Sequence, residues 1–347
     1  MEQVGHASRA VIVASYNFIA IKEFMVLPGK LTALVVIGRN EGSRLSECLA
    51  SIDPDLPRVY VDSGSTDDSV SRARKSGAPV LELHPGAPFT AARARAEGFD
   101  FLIQRHANLE FVQFIDGDCC LHKGWLEDAL QAMSCNPQLG AVCGRRSERY
   151  PEASFYNALF DKEWDTPVGK ADSTGGDSLV RVSAYREAGG FRPDLTAGEE
   201  PEFSFRLRQA GWQIERLDSA MTMHDADVHR FEQWWQRAKR SGYGYFQAFH
   251  ATRNGYQAPL YRRELIRAIS WAVGVPLFSV ILAIMVHPAL LLLTPGIWGL
   301  QWVRLALRHG ARHAALLLVG KAAESIGAFK AWRDTILKIR ANAIRYK

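Results

Sequence analysis

Between residues 31 and 120, short apolar runs alternate with segments whose apolar positions recur at helical spacing. Residues 31–37 form a run of mostly Leu, Val and Ile, the pattern of a parallel strand buried on both faces. Residues 40–52 carry Leu45, Cys48, Leu49 and Ile52, which share one helical stripe. The pattern then predicts a strand at 58–61, a helix at 65–75, a strand at 80–83, an Ala-rich helix at 89–106 and a strand at 110–115. Ser65 is expected to cap the second helix, with Asp67 and Asp68 in its first turn, where carboxylates meet the positive end of the helix dipole. Alternating βα units of this length predict an α/β fold with a mainly parallel, doubly wound sheet covered by helices on both faces.

After about residue 218 the alternation stops. Residues 231–250 are aromatic and basic, and residues 268–303 contain no Asp, Glu, Lys or Arg. A membrane-spanning helix needs roughly 20 apolar residues, so this run suffices for one span and is short for two spans and a turn. His287-Pro288 falls near its middle, where proline breaks a helix. Arg262, Arg263 and Arg267 precede the run, and Arg304, Arg308 and Arg312 follow it. Basic flanks at both ends place both on the cytoplasmic side and predict a re-entrant or in-plane hairpin. The competing reading is a helical pair buried in a soluble protein.

Composition changes this picture in two ways. The net charge of +5 conceals an asymmetry, because from Arg262 onward 13 Lys/Arg face 3 Asp/Glu. An acidic body with a basic tail beside an apolar run points to anionic lipid and argues against a nucleic-acid binder, whose basic surface covers the folded face. Five cysteines form no CxxC pair and no even framework, which suits reduced thiols in a cytosol-facing protein. The first residues lack the pattern of a signal peptide. Residues 1–24 are expected to be a dispensable extension ahead of Met25.

The candidate chemistry lies just past the strands, where open α/β sheets bind their ligands. Asp116-Gly117-Asp118 sets two carboxylates two residues apart, able to share a hard divalent cation. Most such turns are only solvated loops. Asp62-Ser63-Gly64-Ser65-Thr66-Asp67-Asp68 closes the second strand. A capped turn explains Ser65 through Asp68 without a ligand but leaves Asp62 unexplained. His224 stands in Met223-His224-Asp225-Ala226-Asp227-Val228-His229, beyond a late strand. Zinc spacing is absent there, and an isolated histidine is commonly structural. Arg145-Arg146 could reach a phosphate, although a solvated pair is the stronger reading, and Trp234-Trp235 suits core packing and sugar stacking equally.

Taken in order, Asn40-Glu41, the Asp62-Ser-Gly-Ser-Thr-Asp67 run and Asp116-Gly-Asp118 resemble the successive motifs of family-2 glycosyltransferases. Gly175-Gly176, Gly189-Gly190-Phe191, Gly198-Glu199-Glu200 and Arg206-Leu207-Arg208-Gln209-Ala210-Gly211-Trp212 are similar to that family's acceptor half. The resemblance covers residues 31–245. It implies the nucleotide-diphospho-sugar transferase (GT-A, Rossmann-like) fold: a nucleotide-binding half at 31–120, an acceptor half at 121–260, an N-terminal extension at 1–30 and a helical, basic, membrane-associated tail at 261–347.

The resemblance further implies roles. Asn40, Glu41, Asp62, Ser63, Arg95, Asp116 and Gly117 would hold the nucleotide sugar, with Asp62 on the uracil or ribose side. Asp118, Asp116 and His224 would bind Mg2+ or Mn2+. Glu199 and Glu200 stand where the family commonly has Glu-Asp, and Glu200 is the expected general base. Ala96 follows Arg95 where asparagine is usual, a departure that touches the Arg95 contact. Gly175, Gly176, Trp234 and Trp235 would lie on the acceptor side.

The implied activity is inverting transfer of a sugar from a nucleoside-diphosphate donor, UDP-linked by expectation. The acceptor is a hydroxyl on a glycan or lipid-linked molecule, at the cytoplasmic face of the membrane. A sugar nucleotidyltransferase is disfavoured because Gly38-Arg39-Asn40 is not a glycine-rich phosphate loop. A non-catalytic scaffold has no need of Asp62, Asp116, Asp118 and Glu200 together.

Overall fold

The structure is a computed structural model that describes residues 32–339 except 256. The expected extension at 1–30 and the boundary before Met25 therefore lie outside the described residues. Strand β1 (Thr32–Gly38) pairs in parallel with β2 (Arg58–Asp62) and with β4 (Phe111–Asp116), and β3 (Val80–Glu82) extends the sheet beyond β2. The helices α1 (Ser43–Ala50), α2 (Ser69–Lys75) and α3 (Ala91–Arg105) connect them. The second half adds β5 (Cys119–Leu121), α4 (Trp125–Cys135), β6 (Leu139–Glu148), α5 (Phe155–Trp164), β7 (Gly169–Lys170), β8 (Ser178–Arg181), α6 (Val182–Glu187), α7 (Glu199–Gln209) and β9 (Gln213–His224). The sheet runs β3-β2-β1-β4-β8-β6-β9-β5, with β7 on β9. Its β1–β4 portion is parallel, whereas β8 runs antiparallel to both β4 and β6. The sheet is therefore mixed, as the resemblance implied.

Both faces of the sheet are covered, and the strand residues divide between two cores. Ala33, Val35 and Ile37 of β1 join Val112 and Phe114 of β4 beneath α3, α6 and α7. Leu34 and Val36 join Ile115 on the other face, beneath α1 and α4. This period-two division is why the strands read as unbroken apolar runs. On the α3 side the approach is close. A Cβ on Gly98 would stand 2.5 Å from Val35 Cγ1 and 2.9 Å from Val61 Cγ2, so only glycine lets α3 lie this near the sheet.

The second helix differs from its prediction. It begins at Ser69, and Ser65 does not cap it. Asp62 draws the Gly64 and Ser65 N–H groups and the Ser65 hydroxyl onto its carboxylate, which fixes a turn where a helix was expected.

Beyond the sheet, α8 (Phe231–Thr252) leads to α9 (Arg262–Ile269), a π-turn and α10 (Val275–Met285), which form one apolar helix over Arg262–Met285. A second follows over Pro288–His309, including α11 (Leu293–His309). The chain breaks at His287-Pro288, as proline requires. The two helices are 24 and 22 residues long because they extend into the arginine flanks. Reckoning from the uncharged run alone underestimated them, and each is long and apolar enough to cross a membrane. Almost none of either is buried, so the pair is not the core of a soluble body. Ser279 and Thr294 hydrogen-bond at 2.8 Å, and Trp298 Nε1 donates to the Trp271 carbonyl at 3.2 Å, joining the two helices.

Helix α12 (Ala311–Ile336) then returns along α8. The two backbones meet at glycines. A Cβ on Gly242 would overlap the Glu324 carbonyl oxygen at 1.9 Å, and one on Gly327 the Lys239 carbonyl oxygen at 2.0 Å.

Candidate active site

The loops after β1, β2 and β4, the start of α7, the end of β9 and one face of α8 enclose a cleft of about 690 Å³. Its first wall is stitched from two loops. Asn40, in the left-handed region at φ 59°, donates its N–H to Ser65 Oγ at 2.9 Å, and its side-chain oxygen accepts from Thr66 N–H at 2.7 Å. The N–H groups of Glu41 and Gly42 both donate to Ser69 Oγ at 3.0 Å. Asn40, Glu41, Ser63 and Gly117 line the cleft.

Asp62 does not line it. Its carboxylate is buried and accepts from Tyr60 Oη, the Gly64 and Ser65 N–H groups and Ser65 Oγ. Four donors occupy a group that offers about four acceptor positions. Asp62, expected as a nucleotide contact, faces its own loop in this structure. It stiffens the loop that carries Ser63, and a capped turn does explain it.

A buried charge cluster forms the floor. Arg95 reaches Asp116 at 2.9 Å and Glu199 at 2.8 Å. Arg146 lies 3.4 Å from the other Asp116 oxygen and 3.7 Å from Asp177. Asp177 also accepts from the Asp116 N–H at 2.9 Å and from Thr222 Oγ1 at 2.7 Å. Burial opposes ionisation of Asp116, but Arg95 and Arg146 outweigh it and hold its carboxyl below the usual carboxylate range. Gly176 is what lets the cluster close. A Cβ there would stand 3.0 Å from Asp116 Oδ2 and 3.1 Å from Arg146 Nη1. Gly175, beside it, takes φ 75°.

Asp118 faces elsewhere. Its Oδ2 is 3.3 Å from His224 Nε2, because β5 pairs with β9 in a register that sets Cys119 opposite His224. The His224 ring stands edge-on to Trp164, with Glu148 Oε2 3.8 Å from Nδ1, which has no hydrogen-bond partner. An oxygen and a nitrogen this close can ligate one cation, since neighbouring ligands of an octahedron with bonds of about 2.1 Å lie about 3 Å apart. Asp118 and His224 therefore fit a divalent metal. Asp116, expected to share it, has both oxygens on arginines.

At the start of α7, Gly198 takes the left-handed N-cap position and Glu199 and Glu200 follow. The two glutamates differ sharply. Glu199 is held by Arg95, whereas Glu200 Oε2 is buried without a partner. Burial, and then the charge of Glu199, push the Glu200 carboxyl up to about 7. Trp234 is buried with Leu159, Phe160, Val228 and Leu316, and Trp235 packs against the same cluster. Neither of these residues, expected on the acceptor side, lines the cleft.

Sequence reasoning missed Arg146, Asp177 and Trp164. Arg145 does pair outward with Asp161 and Asp165, but Arg146 points inward, and the strand's alternation was the available signal. Asp177 directly follows the Gly175-Gly176 pair. Its acid at the start of β8 could have been read as a partner for a buried cation.

Comparison with known proteins decides the class. The model of glycosyl transferase family group 2 matches residues 111–318, and that of glycosyl transferase family 2 matches residues 33–187. The chain belongs to glycosyl transferase family group 2. This glycosyltransferase is 27% identical over 227 residues to the pre-mycofactocin glycosyltransferase of Mycobacterium tuberculosis, covering 61% of this chain and 45% of that protein. It thus spans less than half the length of that relative. It is 25% identical over 276 residues to the succinoglycan biosynthesis protein ExoA of Rhizobium meliloti, covering 71% of this chain and 81% of that one. Among solved structures it resembles a mannosyltransferase from Pyrobaculum calidifontis in complex with GDP-Man and Mn2+. The TM-score is 0.61 at 20% identity, over 92% of this chain and 94% of that one, a likeness of fold. The glycosyltransferase has the GT-A architecture.

Proposed function

We propose that this glycosyltransferase moves a sugar from a nucleoside-diphosphate donor, UDP-linked, to a hydroxyl of a glycan or lipid-linked acceptor by one displacement with inversion. The observation that carries this reading is the division of labour between adjacent glutamates. Glu199 is neutralised by Arg95, while Glu200 lines the cleft with an unpartnered oxygen and a carboxyl raised to about 7. A base must reach the proton it removes and titrate near the working pH. Glu200 accepts the acceptor hydroxyl's proton as that oxygen bonds to the anomeric carbon. The bond from the anomeric carbon to the diphosphate oxygen breaks, and the nucleoside diphosphate leaves with the electron pair.

Asn40, Glu41, Ser63 and Gly117 face the nucleotide in this reading, and Asp118 and His224 hold Mg2+ or Mn2+. When bound, the cation supplies a positive charge against the leaving diphosphate. Arg95, Arg146, Asp116 and Asp177 form the rigid floor beneath. The apolar helices over Arg262–Met285 and Pro288–His309 support association with the cytoplasmic face of a membrane. A transferase domain at 31–260 and a membrane-associated region at 261–347 belong to the same proposal.

The test is a screen of nucleotide sugars with Mg2+ or Mn2+, following release of free nucleoside diphosphate. Metal-dependent release from one donor, lost in Asp118→Ala together with metal-dependent nucleotide binding by calorimetry, is the expected result. Full activity in Asp118→Ala defeats the metal assignment, and pyrophosphate as the product defeats glycosyl transfer.

A further inference from the structure

With Trp234 buried and Trp235 packed against the same cluster, the cleft wall on α8 is left to other residues. Helix α8 presents Arg237, Arg240, Ser241, Gly244 and Tyr245 to it, positions three and four apart that share one face. Next to them stands Tyr261, the residue just ahead of α9. Its ring centre is 4.7 Å from that of Tyr245, with the planes 33° apart, so the two rings pack against each other as an offset stack in the cleft wall. Tyr261 holds φ at 55°, a left-handed conformation that costs a bulky residue energy and marks functional sites. Neither phenol has a hydrogen-bond partner among the described residues, although half-buried tyrosines usually find one.

The stacked pair is fixed relative to the base. A Cβ on Gly198 would stand 2.7 Å from the Gly244 carbonyl oxygen, so α8 lies backbone to backbone against the start of α7. Tyr261 and Glu200 line the same cleft.

We propose that Tyr245 and Tyr261 form the acceptor subsite and that its ligand is a sugar ring. The inference rests on the glycosyl-transfer reading above and narrows it. The outer face of a stacked tyrosine pair matches the C–H face of a pyranose, and its phenols meet the sugar hydroxyls. A neighbouring base also suits a neutral hydroxyl nucleophile, because a phosphate oxygen is already ionised at pH 7 and needs none. Tyr261 leads directly into the exposed apolar helices, so the sugar is presented on a lipid.

The experiment titrates methyl glycosides of glucose, galactose, mannose and N-acetylglucosamine against the full-length enzyme saturated with UDP or GDP and Mg2+. Binding is read by saturation-transfer NMR. Octyl glycosides of the same sugars, below their micelle threshold, form the second arm. The variants are Tyr245→Phe, Tyr261→Ala and Tyr261→Gly; the last keeps a backbone that adopts φ 55° freely and so guards against misfolding.

The expected result is one preferred sugar, weakened about tenfold in Tyr261→Gly and Tyr261→Ala, with nucleotide affinity unchanged. Tighter binding of the octyl form supports lipid presentation, and equal binding overturns that part. Sugar affinity unchanged in both Tyr261 variants, or no sugar bound while nucleotide is, overturns the subsite and leaves the donor reading intact. No nucleotide bound by the wild-type enzyme removes the glycosyl-transfer reading itself.

Discussion

Glu199 and Glu200 are chemically identical neighbours, and only their surroundings distinguish them. Glu200→Gln removes the proposed base and is expected to lower kcat by about 10²–10⁴-fold, measured as transfer at saturating donor. Because the base acts ionised, kcat/KM of the wild type should climb with pH and level off above about 7. The same shift bears on stability. A carboxyl whose folded pKa exceeds its unfolded value binds protons more tightly in the folded state. Its stabilising contribution is complete below the unfolded value and is lost as pH rises through about 7. Glu200→Gln should therefore gain in Tm over the wild type between pH 5 and pH 8, as read by scanning calorimetry. Glu199→Gln should do the opposite and lower Tm, because it strips Arg95 of one of two carboxylate partners in a buried site. A lost kcat with raised Tm in Glu199→Gln would exchange the two assignments.

At the level of elements, the cleft depends on backbones that approach too closely for any side chain. Gly98 seats α3, which carries Arg95 one turn away, against Val35 and Val61. Gly98→Ala overpacks this contact, with an expected cost of about 1–3 kcal/mol in urea unfolding. If α3 is displaced, Arg95 loses register with Asp116 and Glu199, so transfer should fall while the metal pair, borne by β5 and β9, is retained. Unchanged stability would mean that α3 can lift without consequence. Gly242 and Gly327 play the same part between α8 and α12.

For the whole molecule, the question is what covers the exposed helices over Arg262–Met285 and Pro288–His309. Ile284, Met285, Leu300 and Leu307 are 75–84% exposed, which water disfavours. Arginines at both ends favour an anionic surface. In flotation, the protein should rise with vesicles containing anionic lipid and much less with neutral ones, and high salt should weaken but not abolish binding. Recovery of soluble monomer in the bottom fraction with both vesicle types would overturn the membrane assignment.

The order of strands and helices in the first half was legible along the chain, because each parallel strand is buried on both faces and each helix on one. The proposed metal pair was legible only in part. Asp118 announced itself beside its strand, but His224 gained meaning when antiparallel pairing set it across from β5, a register no local spacing encodes. That Asp62 and Trp234 face their own chain was not legible, because a carboxylate after a strand, or a tryptophan on a basic helix, looks the same whether it faces a ligand or its own chain. Arg146 was misread for the converse reason. Which way a side chain turns depends on partners far off in sequence: Asp116 and Asp177 for Arg146, Leu316 for Trp234. Composition and periodicity thus determined the class of fold and the edge of the sheet at which chemistry gathers. The folded chain alone decided which of two glutamates is free to act, since that choice lies in the reach of a single arginine 104 positions away.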